Sequence, residues 1–292
     1  MTYWTQLLGH PYKIEQIDVG GISTRVMTLG AGEPIIFLHG ISGHLEAFVP
    51  VAPHLANDYE LHLIDMLGHG WTDKPDEPIT MANMASHVIA YMDSRGIAKA
   101  HIIGISLGGW LTGWLLGNHG DRCLSSVMVA AAGNPAMGKP EIGEMLRKIT
   151  AAGVFNDDRK FTQERLNAVV FNLESIDDEL VDVRYTVYHD PRFRANLDNL
   201  LALTHADTYK TYQLTPKMLA GVTQDVLLCW GEDDKNSGIA DAAFLVDNLP
   251  HSKLIQMNNT GHWPPYERPA DFGRIAKLFF EKGLAAIDEG RQ

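Results

Sequence analysis

Gly104-Ile105-Ser106-Leu107-Gly108-Gly109 lies between a β-branched apolar run, Ala100-His101-Ile102-Ile103, and an apolar stretch of helical character at residues 110–116. A serine set between strand and helix, with glycine two residues before and two after it, is the pattern of a nucleophile elbow. So sharp a turn needs small neighbours at those spacings and puts the serine in strained backbone geometry, which lifts its hydroxyl above the sheet. The unbonded N–H groups of the starting helix, that of Leu107 among them, point to where an oxyanion forms. Standing alone, the six residues are equally a tight glycine turn around an ordinary serine. They are not a dinucleotide fingerprint, whose middle glycine is here Ser106, nor a phosphate loop, which needs Lys followed by Ser or Thr.

Upstream of this stretch, residues 13–19 and 22–29 alternate as two strands joined at Gly20-Gly21, a hairpin expected at a sheet edge. Pro34-Ile35-Ile36-Phe37-Leu38 is a continuous apolar run, as in a strand covered on both faces. It runs into His39-Gly40-Ile41-Ser42-Gly43. A helix is expected at 45–55 and a strand at 60–64. Thr80 is placed to cap a further helix that Gly96 stops. Downstream, strands are expected at 124–131, 225–230 and 253–257, with helices at 239–249 and 269–286. Between Pro135 and Tyr212 charged and apolar residues mix at helical spacing without a β-rich run, which predicts several short helices. Strands alternating with helices predict an α/β fold, a mostly parallel eight-stranded sheet with helices on both faces. Residues 1–134 and 213–292 form the expected core domain and 135–212 a helical lid subdomain.

A chain of 292 residues, 45% of them hydrophobic, is long enough for one large domain with an insertion. A formal net charge of −12 argues against nucleic acid and anionic membrane, both of which need a basic face, and leaves a small-molecule partner. Two cysteines, Cys123 and Cys229, make a disulfide framework improbable and suit a cytoplasmic protein. No signal-like start and no apolar run of membrane-spanning length is seen. The thirteen histidines include no H-E-x-x-H spacing, so neither a metal nor another cofactor is expected; His39 and His69 are read as shaping their glycine turns through local backbone hydrogen bonds.

Ligands of a doubly wound sheet gather at the carboxyl ends of its strands, which directs attention to the loops holding His39-Gly40, Ser106, Asp233-Asp234 and His262. The order Ser, Asp, His is that of the α/β-hydrolases. The chain resembles that superfamily over nearly its whole length, through His39-Gly40, Asp65-x-x-Gly68-His69-Gly70-x-Thr72, Gly104-x-Ser106-x-Gly108, Gly231-x-x-Asp234 and Gly261-His262. The resemblance implies that His262 removes the proton of Ser106 while an acid fixes the imidazole. Asp234 fits the G-x-x-D spacing, with its neighbour Asp233 as competitor. It implies oxyanion donors at the backbone N–H groups of Leu107 and Ile41.

Within the superfamily the sequence looks like the meta-cleavage-product hydrolases, which split a carbon–carbon bond in dienoic keto acids from aromatic-ring degradation. The residues carrying this are Arg184-Tyr185 in the predicted lid, Trp263 after His262, and Asp65-Met66-Leu67-Gly68-His69-Gly70. The resemblance implies that Arg184 binds the substrate carboxylate and Trp263 walls the pocket; the plainer readings are a surface arginine paired with Asp182 or Asp178, and loop packing of Trp263 on Tyr266. Two departures stand out. Ile41-Ser42-Gly43 replaces the family's Gly-Pro-Gly, and apolar Ile105 replaces an asparagine, leaving Ser42 or His44 to supply polar contacts. A carboxylesterase or lactonase with the same three residues, and a noncatalytic signal receptor on the same fold, are the alternatives. A homodimer is compatible with such a fold.

Overall fold

The computed structural model describes residues 2–288 together with the backbone of Gly290 and Arg291. The apolar runs become strands β1 (Tyr12–Val19), β2 (Ile22–Gly30), β3 (Glu33–Leu38), β4 (Tyr59–Ile64), β5 (Ala100–Ile105), β6 (Cys123–Val129), β7 (Val226–Gly231) and β8 (Ser252–Met257). To these eight the structure adds a two-residue β9, Gly290–Arg291, on β8. The order across the sheet is β1-β2-β4-β3-β5-β6-β7-β8-β9. β1 and β2 form the predicted antiparallel hairpin, with Val19 opposite Ile22. Only β1 is an edge, however, because β2 also pairs antiparallel with β4. All later pairings are parallel.

The strands that read as unbroken apolar runs are those buried on both faces. Ile35, Ile36, Phe37 and Leu38 of β3 are fully buried, as are Val226 to Trp230 of β7. Each such side chain contributes about 1.5–3 kcal/mol relative to exposure. β4 follows β3 on one side of it, and β6 follows β5 on the other. The loops leaving the carboxyl ends of β3 and β5 therefore part in opposite directions and leave a crevice between them, where such sheets bind ligands.

Several helices follow their local signals closely. Thr80 caps Met81–Ser94, accepting from Asn83 N while the Asn83 side chain accepts from Thr80 N. Gly96 adopts a φ of 68° just beyond that helix, and Gly283 one of 71° beyond the last, Pro269–Lys282. The helix expected at 45–55 is instead two separate 3₁₀ turns, Leu45–Phe48 and Ala52–His54. Pro50 and Pro53 lack the N–H groups that a continuous helix needs there. Between β6 and β7 the described residues form helices and turns only, the longest being Pro140–Phe155, Lys160–Asn167 and Asp178–Tyr188. Among the described residues no helix is long and apolar enough to cross a membrane.

Candidate active site

Ser106 sits at φ 55° and ψ −112°, a conformation that costs about 1–3 kcal/mol for a residue with a side chain. The surroundings hold it there. Its N–H donates to Val129 O at 2.9 Å, and its carbonyl accepts from Trp110 N at 2.9 Å and Ala132 N at 3.1 Å. The two glycines are required by contact: a β-carbon on Gly108 would lie 1.9 Å from Leu38 O, and one on Gly104 would lie 2.2 Å from Gly108 O. β5 and the following helix, Leu107–His119, can thus cross closely enough to turn the serine toward the crevice.

Across that crevice Gly40 lies beside the nucleophile candidate, since a β-carbon there would be 3.5 Å from Ser106 Cβ. His39 fixes this loop. Its Nε2 accepts from Met66 N at 3.1 Å, so the neutral ring carries its proton on Nδ1, which donates to Gly40 O at 2.8 Å. Among the described residues the N–H groups of Ile41 and Leu107 donate no backbone hydrogen bond. Two donors are left for a developing oxyanion.

Asp234 and His262 meet as their spacing predicts. Asp234 Oδ2 lies 2.7 Å from His262 Nδ1, with the carboxylate side chain fully buried. That oxygen also accepts from Ser237 Oγ at 2.6 Å, and Oδ1 accepts from Asn236 N and Ser237 N at 2.8 and 3.2 Å. Burial pushes the carboxyl up, but the imidazole and these donors outweigh it and leave it below the usual carboxylate range. Asp233 makes no hydrogen bond to the imidazole; its N–H donates to Thr260 O. The His262 loop is gathered by Glu267, whose carboxylate accepts from Gly261 N, Trp263 N and Phe171 N.

Ser106 and His262 line one cavity together with Gly40, Ile41, Ile105 and Trp263. Among the described residues no hydrogen bond joins Ser106 Oγ to His262, a looseness common in unliganded sites. Trp263 does two things at once, walling the cavity and stacking on Tyr266 at 4.8 Å. Ile105 presents an apolar wall.

Arg184 points inward. It is 4% exposed, lines the cavity and donates from Nη1 to Tyr188 Oη at 3.3 Å, and its buried Nε has no partner among the described residues. Asp178 and Asp182, its expected surface partners, are both held by Arg159. Ser42 and His44 do not line the cavity, contrary to their proposed contact with substrate. Ser42 is fully buried against Tyr188 Oη at 3.0 Å, and His44 Nδ1 is turned to Glu46 at 2.9 Å. Glu46, which holds His44, pairs in turn with Arg25. Sequence reading passed over Tyr188, although it stands one helical turn after Arg184 on the same face. It also passed over Arg165, Asn236 and Ser237. An arginine in the charged segment Lys160–Asn167 reads as a solvated face, yet Arg165 is 6% exposed and lines the cavity.

Buried histidines make stability acid-sensitive. His44, His69 and His87 are each pushed down to about 4 by burial, and His69 Nδ1 lies 2.9 Å from Leu67 O, the local bond expected of it. In the unfolded chain such rings titrate near ~6.5, so as pH falls from ~6.5 to ~4 protons go to the unfolded state first and stability is lost. Asp65, raised to about 6 by burial, takes up its proton earlier when folded and offsets one of the three. Burial pushes His39, His62 and His101 down as well, so unfolding takes up protons through this window and stability falls as pH drops. Urea midpoints measured from pH 7 to 4.5 check this; a flat profile below pH 6.5 would contradict the neutral burial of these rings.

Comparison with known proteins identifies the fold. Residues 33–269 match the family model described as alpha/beta hydrolase fold. The chain is 28% identical over 274 residues to the 2-hydroxy-6-oxo-6-(2'-aminophenyl)hexa-2,4-dienoic acid hydrolase of Metapseudomonas resinovorans, covering 91% of this chain and 90% of that one. It is 35% identical over 266 residues to the dihydrolipoyllysine-residue acetyltransferase component of an acetoin cleaving system from Cupriavidus necator, covering 89% of this chain and 67% of that protein. Among solved structures, the 2-hydroxy-6-oxo-6-phenylhexa-2,4-dienoate hydrolase of a Rhodococcus species superposes with a TM-score of 0.84 at 22% identity, covering 93% of this chain and 99% of that one.

Proposed function

The chain belongs to the α/β-hydrolase fold family, and from that premise we propose that it hydrolyses a carbon–carbon bond in a 2-hydroxy-6-oxo-dienoate. In this reading Ser106 is the nucleophile, His262 its base, Asp234 the acid that orients the imidazole, and the N–H groups of Ile41 and Leu107 the oxyanion donors. Residues 135–212 act as a lid subdomain, and the two free buried thiols, Cys123 and Cys229, suit the cytoplasm.

The observation that carries the reading is the unpaired Arg184 in the wall shared with Ser106 and His262. A buried guanidinium without a carboxylate needs a counter-ion, and an acid substrate brings one. With the carboxylate held there, the chain of the dienoate extends toward Ser106. Ketonisation moves the 2-hydroxyl proton to C5, with His262 placed to carry it. Attack on the C6 carbonyl and collapse of the oxyanion then break the C5–C6 bond, whose electron pair passes through C3=C4 to the 2-keto oxygen. Water completes the balance, giving a 2-hydroxydienoate and a carboxylic acid.

The acetyltransferase relative favours a second reading, in which Ser106 passes an acyl group from an ester or thioester. The purified protein, offered a 2-hydroxy-6-oxo-dienoate and p-nitrophenyl butyrate side by side, separates them. Loss of the dienoate absorbance is the expected result; ester turnover with that absorbance unchanged would remove the carbon–carbon reading. Arg184→Gln should raise KM for the dienoate by about tenfold or more, since a hydrogen bond to a charged group contributes about 1.5–3 kcal/mol. An unchanged KM would take Arg184 out of substrate binding.

A further inference from the structure

Arg184 is not alone. Arg165 lines the same cavity, is more than nine-tenths buried, and among the described residues makes a single hydrogen bond, from Nε to Thr150 Oγ1 at 3.2 Å. Among the described residues neither arginine has an ion-pair partner, whereas the half-buried Arg25 has two, Glu46 and Asp65. No Asp or Glu lines the cavity among the described residues. The excess of positive charge registers on Tyr188, whose phenol both cations influence. Burial pushes the Tyr188 phenol up, yet Arg184 and Arg165 together, with hydrogen bonds from Ser42 and Arg184, bring it below its ordinary value. Two like charges held close and dry repel one another unless two negative charges arrive.

We propose that Arg165 and Arg184 form a double anion anchor and that the substrate is a diacid, one carboxylate held on each guanidinium. This rests on the reading that the cavity takes the substrate's acid end, and it adds the second acid group. A guanidinium is suited to the task because its fork meets a carboxylate bidentately, and among the described residues the Arg165 Nη groups have no hydrogen-bond partner. The remainder of the wall, with Leu146, Leu166, Val169 and Leu203, accepts the hydrocarbon between or beyond the acid groups.

Isothermal titration calorimetry with glutarate and with butyrate tests this without requiring turnover of any kind. The wild-type protein should bind glutarate at least about tenfold more tightly than butyrate, the effect of one additional charge-assisted pair. Arg165→Met should remove that preference while leaving butyrate affinity unchanged, and Arg165→Lys should keep part of it. Arg184→Met should weaken both acids. Equal wild-type affinity for the two acids, or an equal loss of both in Arg165→Met, overturns the proposal. The wild-type comparison decides even if a methionine variant does not fold. Carbon–carbon cleavage without a glutarate preference removes the diacid alone, whereas a glutarate preference without such cleavage removes the reaction and keeps the anchor.

Discussion

Ser106→Ala should lower kcat by roughly a million-fold while the protein still binds its substrate, because the hydroxyl is the only atom lost from a site otherwise intact. The alanine retains the elbow's backbone bonds to Val129, Trp110 and Ala132, and the loop of Gly40 and Ile41 is untouched. Substrate binding rests on Arg184 and the apolar wall, so affinity measured by calorimetry should remain close to wild type. A variant that keeps a tenth of wild-type activity would remove Ser106 from its role, since background catalysis from oxyanion donors and binding is far weaker than that.

Asp234→Asn should cost about 10⁴-fold in kcat with little change in fold. The carboxylate now accepts from His262 Nδ1 at 2.7 Å and is held by Ser237 and Asn236; an amide in its place can present N–H to that nitrogen and stabilise the wrong tautomer. His262 would then face Ser106 with a proton where a lone pair is needed. Asp233→Asn is the control and should remain within about threefold, as for a residue outside any buried network. Parallel kcat measurements on the two variants decide between the neighbours. A larger loss in Asp233→Asn would transfer the role to it.

The alternation of apolar and polar residues was enough to locate eight strands, the hairpin at Gly20-Gly21 and the elbow at Ser106, because burial on one face or two imposes a period that neighbours along the chain already carry. The loops rich in His, Asp and Ser were legible for a related reason: strands that run parallel deliver their carboxyl ends to one rim, whatever the separation in sequence. The failures are equally physical. Residues 45–55 have helical composition, but Pro50 and Pro53 break the ladder into two 3₁₀ turns. Ser42 and His44 stand next to the oxyanion loop in sequence and are turned away from the cavity in space, held by Tyr188 and Glu46.

Charge shows the division most sharply. A net charge of −12 argues against a broad basic face, yet the cavity wall holds two buried arginines and no acid among the described residues. Composition sums over the whole surface, whereas a binding site depends on which few charges are brought together without their partners. Asp178 and Asp182 stand six and two residues before Arg184, on another face of the same helix, where Arg159 pairs with both. Periodicity, glycine spacing and motif order are local and survive in one dimension. Which arginine ends buried in a cavity without an acid beside it depends on residues distant along the chain, and packing in three dimensions settles it.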